Sequence, residues 1–276
     1  MDQPHRWYST NLVGVPAPVL ASTAFNANPP HLAIAGTREA QAGLFALLDR
    51  SQDLNEARDM FVHYLVIAFG LRQPEPHELA NMGASEQRRW RSSWRKLLQG
   101  WGMDANGPAG AVLKGWVESR FGLVPGYHKA PLGRFPSPAW VAYLEEKAAS
   151  RHNNNNIHQQ LDVLYEFCQW ALRRFPRPGS ATTDRHLRLW RGSTRCEEQV
   201  IAGRLQDRRC TVRLNNLVSF SLSHEEATCF GDWVFEVQVP LCKVLVFPGL
   251  LPGQVLQGEQ EVLALGGDFE VLARYA

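Results

Sequence analysis

The apolar residues of this chain change period near residue 176, and that change limits the fold more than any other feature. Before it, they recur at helical spacing; after it, they fall in short runs that alternate with polar residues. "EARDMFVHYLVIAFGL", at 56–71, is apolar nearly all round and predicts a helix in the middle of a core. In "SEQRRWRSSWRKLLQGW", Trp90, Trp94, Leu97, Leu98 and Trp101 lie at i, i+4, i+7, i+8 and i+11, one stripe of one helix. A second stripe joins Ile157, Leu161, Leu164, Tyr165, Cys168, Leu172 and Phe175, after asparagines 153–156 that favour a turn or cap. Shorter helical patterns cover about 108–121 and 138–149.

"RRFPRPGSATTD" then reads as a connection, and strands are expected at 186–191, 216–221, 233–239, 243–247, 259–265 and 269–275. A helix is expected over "CEEQVIAGRLQD", with Glu197 and Glu198 suiting the dipole of its first turn. The fold class is therefore α+β, a helical lobe over residues 1–180 packed against a β-rich module over 181–276.

With 276 residues, 45% hydrophobic, nine Trp and thirteen Phe, the chain can bury one large core or two smaller ones. A net charge of +2 is far from that of a protein living on nucleic acid, so an anionic partner must be met locally. The basic run Arg88, Arg89, Arg91, Arg95, Lys96 reads as the wet face of a helix whose tryptophans point inward. Five scattered cysteines with no C-x-x-C spacing read as reduced thiols of a cytoplasmic protein, without a zinc site. "LVGVPAPVLASTA" is faintly like a secretory leader, but Asp2, two prolines and a thin basic start argue against one. No apolar run is long enough to span a membrane.

A P-loop, a zincin motif and a serine-hydrolase elbow all lack their residues. His77-Glu78 and His224-Glu225 lack the second histidine a metal would need. Three pieces of the β-rich half remain. "LWRGS" puts Arg191-Gly192 at a strand end. In "NNLVSFSLSHEEA", Ser219, Ser221 and Ser223 share one strand face and Phe220 and Leu222 the other; by itself this reads as an edge strand with a polar outer face. In "LQGEQEVLALGG", Glu259 and Glu261 share a face at roughly 7 Å, a spacing at which like charges raise the pKa of at least one.

Arginine, then S-x-S, then E-x-E, with 28 residues from Arg191 to Ser219 and 42 from Ser219 to Glu261, resembles the arginine-serine-glutamate class of ADP-ribosyltransferases over about 185–276. The long helical lobe, the total length and "LWRGS" look more narrowly like the dinitrogenase reductase ADP-ribosyltransferases, which inactivate the nitrogenase iron protein. One departure is Phe220, where the class usually has a middle hydroxyl; a shifted register with Ser221 leading stays open.

The resemblance implies an ADP-ribosyltransferase-type split β-sheet core and NAD as substrate, with no metal required. It gives Glu261 the oxocarbenium-like ribose, Ser219 the orientation of that carboxylate, and Arg191 the NAD diphosphate. Gly192 would let the backbone approach the nicotinamide end, Ser221 would join the NAD site, and Phe230, Asp232 and Trp233 would border the pocket. Glu259 would orient an arginine acceptor and take its proton, with the loop 248–258 meeting the target surface. The implied partners are the nitrogenase iron protein as substrate and a PII-type nitrogen-signalling protein as regulator. Alternative readings are an NAD glycohydrolase and a catalytically inactive NAD-binding module.

Overall fold

The computed structural model describes residues 11–275 apart from 73, 74, 76, 79, 80, 177, 180–184, 195, 254 and 257–259. Helices fill the first part: α1 (Ala17–Leu20), α2 (Thr23–Ala27), α3 (Thr37–Ala40), α4 (Ala42–Leu48), α5 (Leu54–Phe69), α6 (Ala84–Arg91), α7 (Trp94–Met103), α8 (Pro108–Phe121), α9 (Pro138–Ala149) and α10 (Asn155–Arg174). A two-residue ribbon, β1 (Tyr127–His128) with β2 (Ala130–Pro131), interrupts them. The second part holds β3 (His186–Ser193), β4 (Val200–Gly203), β5 (Arg209–Ser221), α11 (His224–Thr228), β6 (Trp233–Pro240), β7 (Val244–Val246) and β8 (Glu261–Tyr275). The chain is α+β, as the change of period predicts.

Local chemistry sets the helix ends. Asp53 caps α5 by accepting from the Glu56 N–H, and Gly70 closes it in the left-handed conformation. Of the asparagine run, Asn154 is the cap of α10, its side chain accepting from Ile157 N. The stripe through Trp90 and Trp101 is buried as expected, but on two helices. Ser92 Oγ turns back onto the Arg88 and Arg89 carbonyls, and Ser93, in extended conformation, starts α7. Arg88, Arg89 and Arg91 lie in water.

The sheet runs β4-β5-β3-β6-β8-β7, and β5 also pairs along its length with β8. All of its pairings are antiparallel. Expected strands at 259–265 and 269–275 are one strand, β8, because Gly266-Gly267 bends the chain without ending the pairing. The bend lies opposite a register shift between Leu214 and Leu217. Gly267 has φ 123°, and a Cβ there would stand 2.7 Å from the Ala21 carbonyl oxygen. Arg213 spans the bend with a two-pronged bond to Asp268, at 2.7 and 3.0 Å.

Two more expectations are corrected. Residues 196–207 are not a helix: β4 runs between two single turns of 3₁₀ helix and pairs with the start of β5. Its residues offer no buried helical face, and Gly203 ends it in a left-handed turn. Nor is the S-x-S strand an edge: β5 has neighbours on both sides.

One apolar cluster runs through both parts, from Leu20 and Phe61 through Trp101 and Phe167 to Leu189 and Phe269. Polar ties reinforce it. Tyr165 donates to the Cys242 carbonyl, Gln169 to those of Leu241 and Val244, and Asn216 to those of Lys114 and Leu123. The sheet is thereby fixed against α8 and α10.

Candidate active site

Strand alternation puts Arg191 on the same face of β3 as Leu187 and Leu189, both fully buried, so it continues an apolar row toward the helices. The half-buried guanidinium donates through Nη1 to the Ser219 carbonyl at 2.7 Å. Its Nε is buried with no hydrogen-bond partner among the described residues. Burial pushes the guanidinium below its ordinary range, and the Glu261 carboxylate is the foremost opposing influence.

Ser219 pairs across the ladder with Leu263, and Ser221 with Glu261, so Ser219 and Glu261 stand on one face as diagonal neighbours. The Ser219 hydroxyl donates to Glu261 Oε1 at 2.6 Å. Arg191 therefore engages the backbone of Ser219 while Glu261 engages its side chain, and the three residues form one constellation.

Ser221 is occupied elsewhere. It donates to Glu226 at 3.2 Å and accepts from the Ser223 N–H, while Ser223 Oγ caps α11. The hydroxyl on the Glu261 carboxylate is that of Ser219, the contact that the unshifted alignment calls for. Phe220 is buried and meets Phe269 edge-on, on the opposite side from the site.

Gly192 has a packing reason for its identity. A Cβ there would stand 2.1 Å from the Ala227 carbonyl oxygen and 3.0 Å from Phe230 Cβ. Phe230 follows α11 and is 71% exposed, Asp232 is exposed, and Trp233 packs edge-on against Tyr275. The strand expected to begin at Glu259 begins at Glu261, and Glu259 lies outside the described residues.

Trp101 was legible only as part of an apolar stripe, yet its indole N–H donates to Ser219 Oγ at 3.0 Å. From the same helix, Arg95 donates to the Pro252 carbonyl at 3.0 Å, on the segment leading to Glu261. No short motif marks either contact. Two surface cavities lie apart from the site, one lined by Arg89, Asn156 and Gln160, the other by His31, Arg173 and Arg185.

Among the described residues no group of three or more potential metal ligands gathers, and no helix is long and apolar enough to cross a membrane. The five cysteines are unpaired, and Cys229 alone is exposed.

An arginine, a hydroxyl and a carboxylate are thus held together on one antiparallel sheet, the set of residues on which the resemblance to ADP-ribosyltransferases was drawn. Comparison with known proteins gives the particular group: the chain belongs to the dinitrogenase reductase ADP-ribosyltransferase family, whose model matches residues 10–273. An NAD(+)–dinitrogen-reductase ADP-D-ribosyltransferase of Rhodospirillum rubrum is 46% identical over 274 residues, covering 99% of this chain and 98% of that protein. No solved structure matches the chain.

Proposed function

We propose that this protein transfers a single ADP-ribose from NAD to an arginine of the nitrogenase iron protein, dinitrogenase reductase, and so inactivates it. Family membership and the Rhodospirillum rubrum relative support the transfer and its target. The observation that carries the chemistry is the Ser219–Glu261 hydrogen bond, with Arg191 on the same serine. The bent pairing of β5 with β8 supports reading residues 181–276 as a split-sheet NAD-binding core, and residues 1–180 as a helical lobe upon it.

Departure of nicotinamide leaves positive charge on the ribose, and a carboxylate already fixed in place stabilises it without reorganising. Glu261 has that place, accepting from the ribose 2′-hydroxyl while Ser219 keeps one of its oxygens oriented. Arg191 binds the diphosphate through the donors of its planar fork that the Ser219 carbonyl does not engage. Nicotinamide leaves with the bonding electrons, a guanidinium nitrogen of the target bonds to the anomeric carbon, and its proton passes to Glu259. The step uses side chains alone. On the resemblance, a PII-type nitrogen-signalling protein regulates the enzyme.

The test is incubation with labelled NAD and iron protein. Glu261→Gln is expected to label roughly a hundredfold more slowly or worse, as when one electrostatic stabiliser of a transition state is removed. Glu259→Gln is expected to lose labelling of the target yet keep some NAD hydrolysis. Wild-type labelling by both variants would refute the assignment.

A further inference from the structure

We propose that Trp101, on α7 of the helical part, is a positioning residue for Glu261 and acts through the Ser219 hydroxyl. The inference rests on the reading of Glu261 as the carboxylate facing the ribose. An indole nitrogen can only donate, whereas a serine hydroxyl has one proton and two lone pairs. Trp101 Nε1 stands 3.0 Å from Ser219 Oγ and occupies one lone pair. The hydroxyl proton is then directed to Glu261 Oε1, at the 2.6 Å typical of a hydroxyl bound to a carboxylate. Arg191 fixes the carbonyl of the same serine from the β3 side. Ser219 is thus held at its backbone by the sheet and at its side chain by the helical part.

Burial alone does not account for this contact. Trp101 is 4% exposed and fills the stripe with Trp94, Leu97 and Leu98, but packing specifies only an apolar body of the right size. The position of the indole nitrogen adds a polar partner, and that partner is the hydroxyl already bound to Glu261. The same helix holds the loop before Glu261 through Arg95 and the Pro252 carbonyl. α7 therefore touches both the serine and the segment that leads into β8, giving the helical part a share in the geometry of the carboxylate.

The experiment is a double-mutant cycle on the full-length enzyme, with kcat and the KM for NAD measured on iron protein. Trp101→Phe is expected to lower kcat about three- to tenfold, the range of one neutral hydrogen bond, with little change in KM. In a Ser219→Ala background the same change is expected to have no further effect. Site-specific replacement of Trp101 by its benzothiophene analogue keeps the shape and removes only the N–H, and is expected to reproduce the loss even if Trp101→Phe folds poorly. Equal losses in both backgrounds, or unchanged kcat with the analogue, would overturn the positioning role. Full activity of Glu261→Gln, measured alongside, would overturn instead the reading of Glu261 on which the inference rests.

Discussion

Replacing Gly192 by alanine separates two reasons for a glycine beside Arg191. If the residue only lets NAD approach, the folded protein tolerates a methyl group and loses nucleotide affinity. The geometry requires a different result. The new Cβ would lie 2.1 Å from the Ala227 carbonyl oxygen, whereas an ordinary carbon–oxygen contact is about 3.3 Å, so strand and helix must part by roughly 1 Å. Neither yields easily. β3 is paired with β6 from His186 to Ser193, and α11 is pinned by the Ser223 cap and the Ser221–Glu226 bond. Forcing a methyl group into so close a contact costs about 2–3 kcal/mol, which for a chain of 276 residues lowers Tm by about 3–5 °C. The assay is a thermal melt without NAD. A Tm within about 1 °C of wild type, with weakened NAD binding, would refute the packing argument and leave Gly192 to the ligand.

Two further outcomes are expected. Lys243 is fully buried against Phe25 and Phe269, donates to the Gly266 carbonyl, and burial lowers its pKa to about 7, with Cys242 and Asp268 opposing. Between about pH 7 and its ordinary 10.5 the unfolded chain holds the extra proton, so the folded state gains stability as pH rises through that window; below about 7 the full penalty for burying the charge is present. Denaturant titrations should therefore show wild type gaining on Lys243→Met from pH 7 to pH 10, and a pH-independent difference would contradict this. Arg191→Ala should weaken NAD binding at least tenfold by titration, the loss of a charge-assisted bond, while the circular dichroism spectrum is retained; unchanged affinity would remove Arg191 from the site.

Much of the site was legible because β-structure converts spacing into position. Residues two apart share a face, so S-x-S could be read as a row of hydroxyls before any pairing was known. Which hydroxyl meets Glu261 depends on strand register, and register is set by long-range pairing that short spacing does not encode. The helix read over 196–207 failed because charge at a helix start is a weak local signal, whereas pairing with β5 satisfies the backbone of Val200–Gly203. The single stripe from Trp90 to Trp101 was right about burial and wrong about continuity, since the Ser92 hydroxyl competes for helix carbonyls. Trp101 itself could not have been found: periodicity gives the direction of a side chain, and a contact across 118 residues of sequence leaves no mark on it.

The most direct measurement is the structure of the enzyme with an unreactive NAD analogue. The nicotinamide-side ribose 2′-hydroxyl is expected within hydrogen-bonding distance of Glu261 and the diphosphate on Arg191. An analogue bound in the cavity beside His31 and Arg173, or lying with its ribose turned away from Glu261, would contradict it.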